Sequence, residues 1–162
     1  MTKRIGGLRG VKGLNKKLKN FPEMVVHEMR GAVAGSALLV QNDMRRSIQK
    51  GPNTGRTYKR TKDGKFHRAS APGESPATDS GRLVSHINFV LAAEGLMASI
   101  GIHDVANVVY AARMEFGGRD SRGIYIAPRP YVRPALTRNA KAIILRLRKA
   151  YLAGSRRIAR GR

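Results

Sequence analysis

The segment PRPYVRPAL, residues 128–136, decides how the second half of the chain folds. Each of its three prolines fixes its own φ and disfavours helix in the residue before it, so we expect Ala127, Arg129 and Arg133 to be extended. Pro134 itself fits the first position of a helix, where its missing N–H costs no hydrogen bond. The segment therefore predicts an extended connection that delivers the chain into a helix beginning at Pro134.

The residues after Pro134 have the spacing of a helix with one apolar face. Apolar residues recur at steps of three and four, and Lys and Arg occupy most other positions. The predicted apolar face consists of Leu136, Ala140, Ile143, Leu147 and Tyr151. This face is expected to pack on a core, and the basic faces are expected to meet water or anions.

A second, longer helix is predicted over residues 23–49. Pro22 suits its first turn, and Gly51-Pro52 ends it. Its apolar stripe is Val26, Met29, Val33, Ala37, Val40, Met44 and Ile48. Residues 11–20 also have helical spacing, but Gly10 and Gly13 weaken a helix here by about 1 kcal/mol each.

Shorter elements fill the region between the two helices. Residues 51–78 are polar and irregular, and the tight-turn signal at Lys62–Lys65 predicts a basic hairpin within this arm. Alternating sequence predicts strands over residues 87–91 and 97–102, joined by a turn at Glu94-Gly95, and residues 105–116 read as a short helix. A third strand is predicted at residues 124–126. The resulting fold class is α+β: a small antiparallel sheet packed by two long helices and one short helix, with an extended basic arm.

Positive charge dominates the composition and is clustered. The chain has 32 Lys and Arg against 10 Asp and Glu, a net charge of +22. Three basic segments, residues 1–20, 45–70 and 133–162, hold most of it, and the rest of the chain is slightly acidic. Such clustering favours a polyanionic neighbour that neutralises the self-repulsion. A solvated surface or basic tails would be the alternative interpretation.

Several classes of protein are disfavoured by the sequence. The chain has no Cys, which excludes disulfides and thiolate chemistry, and no apolar run approaches the roughly 20 residues of a bilayer span. We expect a soluble protein that is made and used without export. Phosphate-binding loops, metal-binding spacings and nucleophile motifs are absent from the sequence, so we expect no catalytic residue, metal or cofactor. With 6% aromatic residues and no Trp, the basic charge predicts phosphate contact rather than base reading.

Three motifs in order resemble a known family. They are TDSGRL at residues 78–83 followed by Ile87, YAARMEFG at 110–117, and PRPYVRPAL at 128–136. Together they resemble the neck or tail-completion proteins of tailed bacteriophages, the minor tail component family of lambdoid siphophages. The resemblance covers about residues 10–155. Ser80-Gly81 stands where the usual pattern has Thr-Gly.

The resemblance implies a structural protein without catalytic activity. It would form a homo-oligomeric ring, a hexamer or dodecamer, between the head-closure or connector proteins and the tail-terminator or tail-tube proteins. Double-stranded DNA would end in or pass through the ring, and the protein would be assembled in the host cytoplasm and reside in the virion, with no membrane contact. The expected organisation is a basic segment over residues 1–20, a domain over 21–153 carrying the arm at 51–78, and a basic tail over 154–162.

Roles for individual residues follow from the motifs and the charge. Ser80 and Gly81 are expected to cap and turn the chain, and Arg129 and Arg133 to pair with Glu115 of the same or a neighbouring subunit. The residues expected to contact DNA phosphates are Lys50, Arg56, Lys59, Arg60, Lys62, Lys65, Arg156 and Arg157. Those expected at the subunit interface are Tyr110, Glu115, Phe116, Arg129, Tyr131 and Arg133.

Two other functions compete with this interpretation. A cellular nucleic-acid-binding protein of the ribosomal or nucleoid type shares the size and the basic charge, and it would act as a monomer or dimer rather than a closed ring. An enzyme acting on nucleic acid is a third class, but it lacks any supporting motif.

Overall fold

The computed structural model describes residues 11–60, 63–104 and 108–160. Four α-helices lie in these ranges: α1 (Val11–Lys50), α2 (Arg82–Ser85), α3 (Ala111–Phe116) and α4 (Val132–Arg160). The strands are β1 (Thr57–Lys59), β2 (Phe66–Arg68), β3 (Ile87–Ala92), β4 (Met97–Ile102), β5 (Gly118–Arg119) and β6 (Tyr125–Ile126). The predicted α+β class, with long helices and small antiparallel pairings, is confirmed.

The strands form three separate two-stranded antiparallel sheets, β1–β2, β3–β4 and β5–β6. Both predicted hairpins are present, and the Glu94-Gly95 turn lies between β3 and β4. The expectation of one sheet is wrong for the third predicted strand. Tyr125–Ile126 pairs with Gly118–Arg119, across the tight turn that Asp120 builds by accepting the N–H groups of Arg122 and Ile124.

The long helices α1 and α4 pack side by side and run in opposite directions. Near the start of α4, Arg138 and Asn139 donate to the Asp43 carboxylate at 3.0 and 2.8 Å. Near its end, Gly154 lies against Val25, and a Cβ at Gly154 would be only 2.8 Å from the Val25 Cα. Glycine therefore permits the close approach of the two backbones.

The boundaries of both helices differ from the prediction. Pro22 lies inside α1, which is continuous from Val11, so the predicted start beside Pro22 is wrong. The Lys- and Leu-rich residues before it favour helix intrinsically, and the helix continues through the proline. At the other end of the chain α4 runs through Gly154 to Arg160, so residues 154–160 are not a separate tail. The predicted short helix over 105–116 is observed only from Ala111, and residues 105–107 lie outside the described ranges.

The hydrophobic core joins α1 to the middle of the chain and to the start of α4. Its buried members are Val40, Met44, Ile48, Leu83, Val84, Ile87, Val108, Ala111, Tyr131 and Ala135. The hairpin β3–β4 is held on α1 by the side chains of Gln41 and Arg45, which donate to the Ile87 carbonyl at 2.8 and 2.7 Å. The predicted α1 stripe contributes its second half to this core.

The face that α4 presents to the core is rotated from the predicted one. Ala135 is fully buried and Ile143 packs against the core, but Leu136 and Tyr151 are about half-exposed. Ala140 and Leu147 of the predicted face are half-buried, so the packed face overlaps the predicted one. Ile144 is 67% exposed, and Leu145 and Leu152 are also exposed, so α4 has apolar residues on two faces.

Candidate interaction surfaces

The carboxylate of Glu115 caps the first turn of α4. One oxygen accepts the N–H groups of Tyr131 and Val132 at 2.8 and 2.9 Å, and the other accepts that of Arg133 at 3.0 Å. The first four N–H groups of a helix have no partner within the helix. Here three are bound by Glu115 and the fourth residue, Pro134, has no N–H. The terminus is therefore fully satisfied, and it gains a negative charge where the helix dipole favours one.

This cap corrects two predictions about the organising segment. The helix begins at Val132 rather than Pro134, and Arg133 is helical rather than extended, because Glu115 binds the backbone before the proline. The expected pairing of Glu115 with Arg129 or Arg133 side chains within the chain is also wrong. The carboxylate instead meets backbone N–H groups.

Arg129 joins the arm to the body. Its guanidinium donates to the carbonyls of Ser70 and Ala127 at 3.1 and 3.2 Å, and its backbone N–H donates to Met114. The Gly73 N–H donates to the Pro128 carbonyl at 2.9 Å beside it. Arg129 was expected at a subunit interface, but its partly buried side chain is occupied inside the chain by the base of the arm.

Tyr131 belongs to the core rather than to an interface. It is only 2% exposed, so it cannot contact a neighbouring subunit in this fold. Burial, together with the nearby Glu115 charge, raises the pKa of Tyr131 to about 12. Tyr110 is half-buried beside it, and burial raises its pKa as well.

An apolar groove opens between α3 and the start of α4. Its volume is about 410 Å³. Phe116 on its rim is 76% exposed, Val109 and Leu136 are also exposed, and Arg133 lies at the edge. The structure thus brings Glu115, Phe116, Tyr131 and Arg133 together around one groove, and Phe116 and Arg133 are the members that remain available to another molecule.

The arm carries its own two-stranded ribbon, β1–β2. Arg60, just after β1, binds Asp63 at 2.5 Å and Asp79 at 2.6 Å, which ties the ribbon both to its own turn and to the body. The N–H of Lys65 and the Arg60 guanidinium lower the pKa of Asp63. At the base of the arm, Glu74 accepts hydrogen bonds from Thr54 and from the Ala71 N–H.

The predicted phosphate-contact residues fall into two groups. Lys50, Arg56, Lys59 and Lys65 are exposed on or beside the arm, whereas Arg156 and Arg157 lie near the end of α4. Arg157 binds Glu28, which is separated from Lys50 by roughly 33 Å along α1. The six residues therefore do not form one patch.

Two of the phosphate-contact predictions are modified by ion pairs. Arg60 is neutralised by two carboxylates and Arg157 by one, so neither is a free cation in this fold. Asp79 and Glu28 are distant in the sequence, so their pairs could not be read from local spacing, whereas Asp63 lies three residues after Arg60. Lys62 lies outside the described residues.

The motif at residues 78–83 forms a turn rather than a surface site. Gly81 adopts φ 74°, the left-handed region that glycine occupies without strain, and directs the chain into α2. The Ser80 hydroxyl accepts a long hydrogen bond, 3.4 Å, from the Arg82 N–H. The predicted turning role of Gly81 is confirmed, and the capping by Ser80 is weak.

No group of three His, Asp or Glu is placed to hold a metal ion in the described part of the chain. None of the helices in that part is both long and apolar enough to cross a membrane. Comparisons of the chain with protein-family models, with curated proteins and with solved structures find no match.

Proposed function

We propose that this chain is a structural protein of the neck of a tailed bacteriophage. In this proposal it forms a homo-oligomeric ring of six or twelve subunits that joins the head connector to the tail, and it contacts the DNA in the lumen through phosphates. It performs no catalysis. The proposal starts from the three motifs that resemble the neck and tail-completion family.

One observation carries the proposal beyond that resemblance. The apolar groove is lined mainly by residues of two of the three motifs, 110–117 and 128–136, which Glu115 fastens together. Phe116 at the rim exposes most of its ring to water in the single chain. An exposed apolar surface built from these motifs is what a contact between ring subunits requires.

The charge distribution supports the DNA contact. Lys59 and Lys65 have no carboxylate within salt-bridge distance among the described residues, and both are exposed on the ribbon. In a ring, each cation is repeated once per subunit, so weak phosphate contacts add up to strong, salt-sensitive retention. No sequence reading of the DNA is required.

The decisive experiment locates the protein in purified particles. Gold-labelled antibody or mass spectrometry of isolated necks is expected to find the chain at the head–tail junction in a multiple of six copies. Particles whose necks lack the polypeptide would refute the proposal. Isolation of the chain as a single subunit on ribosomal RNA would favour the cellular nucleic-acid-binding alternative instead.

Retention on DNA gives a second, simpler test. We expect the purified chain to bind duplex DNA at low salt and to release it at high salt, because phosphate contacts displace counterions. Binding that is absent, or that does not depend on salt, would contradict the phosphate contact.

A further inference from the structure

The two faces of the β1–β2 ribbon differ in character. Residues directly opposite each other in an antiparallel pair lie on the same face. Thr57 pairs with Arg68 and Lys59 with Phe66, which places these four on one face, and Tyr58 pairs with His67 on the other. The ribbon therefore has a basic face with one phenyl ring and a face with two aromatic rings.

The Tyr58–His67 face points toward the body. The two rings meet edge to face with centroids 5.4 Å apart, and the His67 side chain is only 14% exposed. Its Nδ1 lies 4.0 Å from the Asp79 carboxylate, the same group that binds Arg60. Because these contacts hold the Tyr58–His67 face against the body, the opposite face is directed away from the domain.

The outward face presents a bare aromatic ring among cations. Phe66 is 76% exposed, and Lys59, its cross-strand partner, lies beside it on the same face. The Arg68 guanidinium donates hydrogen bonds to the Gly55 and Thr54 carbonyls, both at 3.3 Å, and the residue remains exposed on the same face. None of the described carboxylates forms an ion pair on this face: Asp63 and Asp79 are bound to Arg60, and Glu74, which is near Arg68, accepts hydrogen bonds from Thr54 and the Ala71 N–H.

We infer that this face binds single-stranded nucleic acid by stacking an unpaired base on Phe66 while Lys59 and Arg68 hold the flanking phosphates. Every base has a π-face, so stacking on an aromatic ring needs no particular sequence, and nearby cations supply the backbone contact. Cross-strand Cβ atoms lie about 5 Å apart, so a lysine side chain reaches the phosphate of a base stacked on its partner. The bases of an intact duplex already stack on each other and leave no free face for Phe66.

The inference rests on the phosphate contact of the proposed function and adds that an unpaired, single-stranded stretch is also bound. It assigns a role to Phe66 that phosphate contact alone does not need. The composition offers few aromatic residues, and the inference concerns this single ring rather than an extended stacking platform.

The absence of Trp from the chain allows a direct test. In the full-length Phe66→Trp variant the only indole stands at the proposed stacking position, and stacking on a base quenches its fluorescence. The oligonucleotides are a twelve-nucleotide oligothymidylate, its oligouridylate equivalent and a blunt hairpin duplex. A Tyr125→Trp variant is the matched control, because Tyr125 is an exposed aromatic on another two-stranded sheet, beside Arg119.

We expect quenching of the Phe66→Trp variant by single strands and none by the duplex, with the Tyr125→Trp variant unchanged. Quenching by either the oligothymidylate or the oligouridylate supports stacking, and the ratio of the two quenching amplitudes shows whether DNA or RNA is preferred.

In a second experiment, Phe66→Ala is expected to weaken binding of single strands about 10-fold, measured by fluorescence anisotropy, and to leave duplex binding unchanged. The exposed residue Met97, changed to Ala, serves as the control for loss of an apolar side chain.

Equal quenching by duplex and single strand would overturn the inference, as would unchanged binding in Phe66→Ala. If the Phe66 variants fail in this way but Lys59→Ala and Lys65→Ala still weaken duplex binding, the proposed phosphate contact survives while the stacking fails. If no nucleic acid binds the wild-type chain at low salt, both the inference and the DNA contact of the proposed function are lost.

Discussion

The Glu115 carboxylate and the Tyr131 backbone N–H meet at 2.8 Å, where the end of α3 touches the start of α4. The contact fixes the position of Tyr131, whose ring enters the core, and of Phe116, whose ring stays outside it. One carboxylate thus sets the geometry of a core residue and of the groove at the same time.

Removal of the Glu115 carboxylate is expected to destabilise the fold. Glu115→Ala leaves three N–H groups of α4 without their acceptor, and we expect the free energy of unfolding to fall by about 2–3 kcal/mol. Glu115→Gln keeps an acceptor oxygen but loses the charge, so its loss is expected to be smaller. Urea denaturation of both variants measures the difference.

Glu94→Gln is the control, because Glu94 forms an exposed ion pair with Arg30. This variant is expected to change the free energy of unfolding by under about 0.5 kcal/mol. Wild-type stability in Glu115→Ala would contradict the capping role.

The ionisation of Tyr131 predicts a loss of stability at high pH. Its pKa is raised to about 12 in the fold, above the value near 10 of an unfolded tyrosine. Between these values the unfolded chain releases a proton that the folded chain keeps, so stability is intact below about pH 10 and declines by about 2–3 kcal/mol as the pH approaches 12. Urea denaturation at stepped pH checks this decline.

Tyr131→Phe removes the titrating group and is expected to remove its part of that decline. Tyr151→Phe, at a half-exposed position, is the matched control, because Tyr131 is still present in that variant. A decline of the same size in wild type and Tyr131→Phe would show that other groups cause it.

The sequence predicted the local elements better than their tertiary partners. The β3–β4 hairpin follows from the alternating sequence on either side of Glu94-Gly95, and its six residue pairs are in continuous register. The predicted start of α4 is two residues late because its cap, Glu115, lies on another element. Proline chemistry alone located the helix, but only the folded chain shows where its first N–H groups find an acceptor.

The exposure of the candidate interface residues was likewise only partly predictable from the sequence. Phe116 was identified as an interface residue from its motif, and it is exposed in the fold. Tyr131, from the neighbouring motif, is buried, and nothing in local spacing distinguishes the two aromatic residues. Arg60 loses its free charge to Asp63 and to Asp79, and Asp79 is 19 residues away along the chain. The sequence pattern predicts a single apolar face for α4 and therefore misses the exposed apolar residues Ile144, Leu145 and Leu152 on its outer side.

Two helix glycines are expected to respond to alanine in opposite directions. A Cβ at Gly154 would lie 2.8 Å from the Val25 Cα, so Gly154→Ala forces α4 away from α1 and is expected to cost about 1–3 kcal/mol. Gly31 has no atom within 4 Å of the corresponding position. Gly31→Ala is therefore expected to stabilise the chain by about 0.5–1 kcal/mol through helix propensity. Thermal denaturation of both variants measures the contrast, and a stabilised Gly154→Ala would mean that the two helices do not cross this closely.

Removal of cations from the ribbon is expected to change the salt dependence of DNA binding. Lys59→Ala and Lys65→Ala each remove one phosphate contact, which reduces the slope of log affinity against log salt by about 0.9 per residue on duplex DNA. Arg122→Ala is the control, because Arg122 is bound to Asp120 on a different turn. Filter binding across a salt series measures the three slopes. Equal slopes in all variants would place the phosphate contacts elsewhere on the chain.

A charge introduced at the groove is expected to prevent assembly without destabilising the fold. Phe116→Asp places a charge at a position that is already solvent-exposed in the single chain, so the free energy of unfolding is expected to change by less than about 0.5 kcal/mol. In a ring contact the same charge would be buried without a partner, which strongly weakens association. Ile124→Asp, at another exposed apolar position, is the control and is expected to leave assembly intact. Native mass spectrometry of each variant, alone and with isolated connector, measures the oligomer formed. If Phe116→Asp yields the same ring as wild type, the subunit contact does not use this groove, because a buried unpaired carboxylate at its rim could not be accommodated at so small a cost.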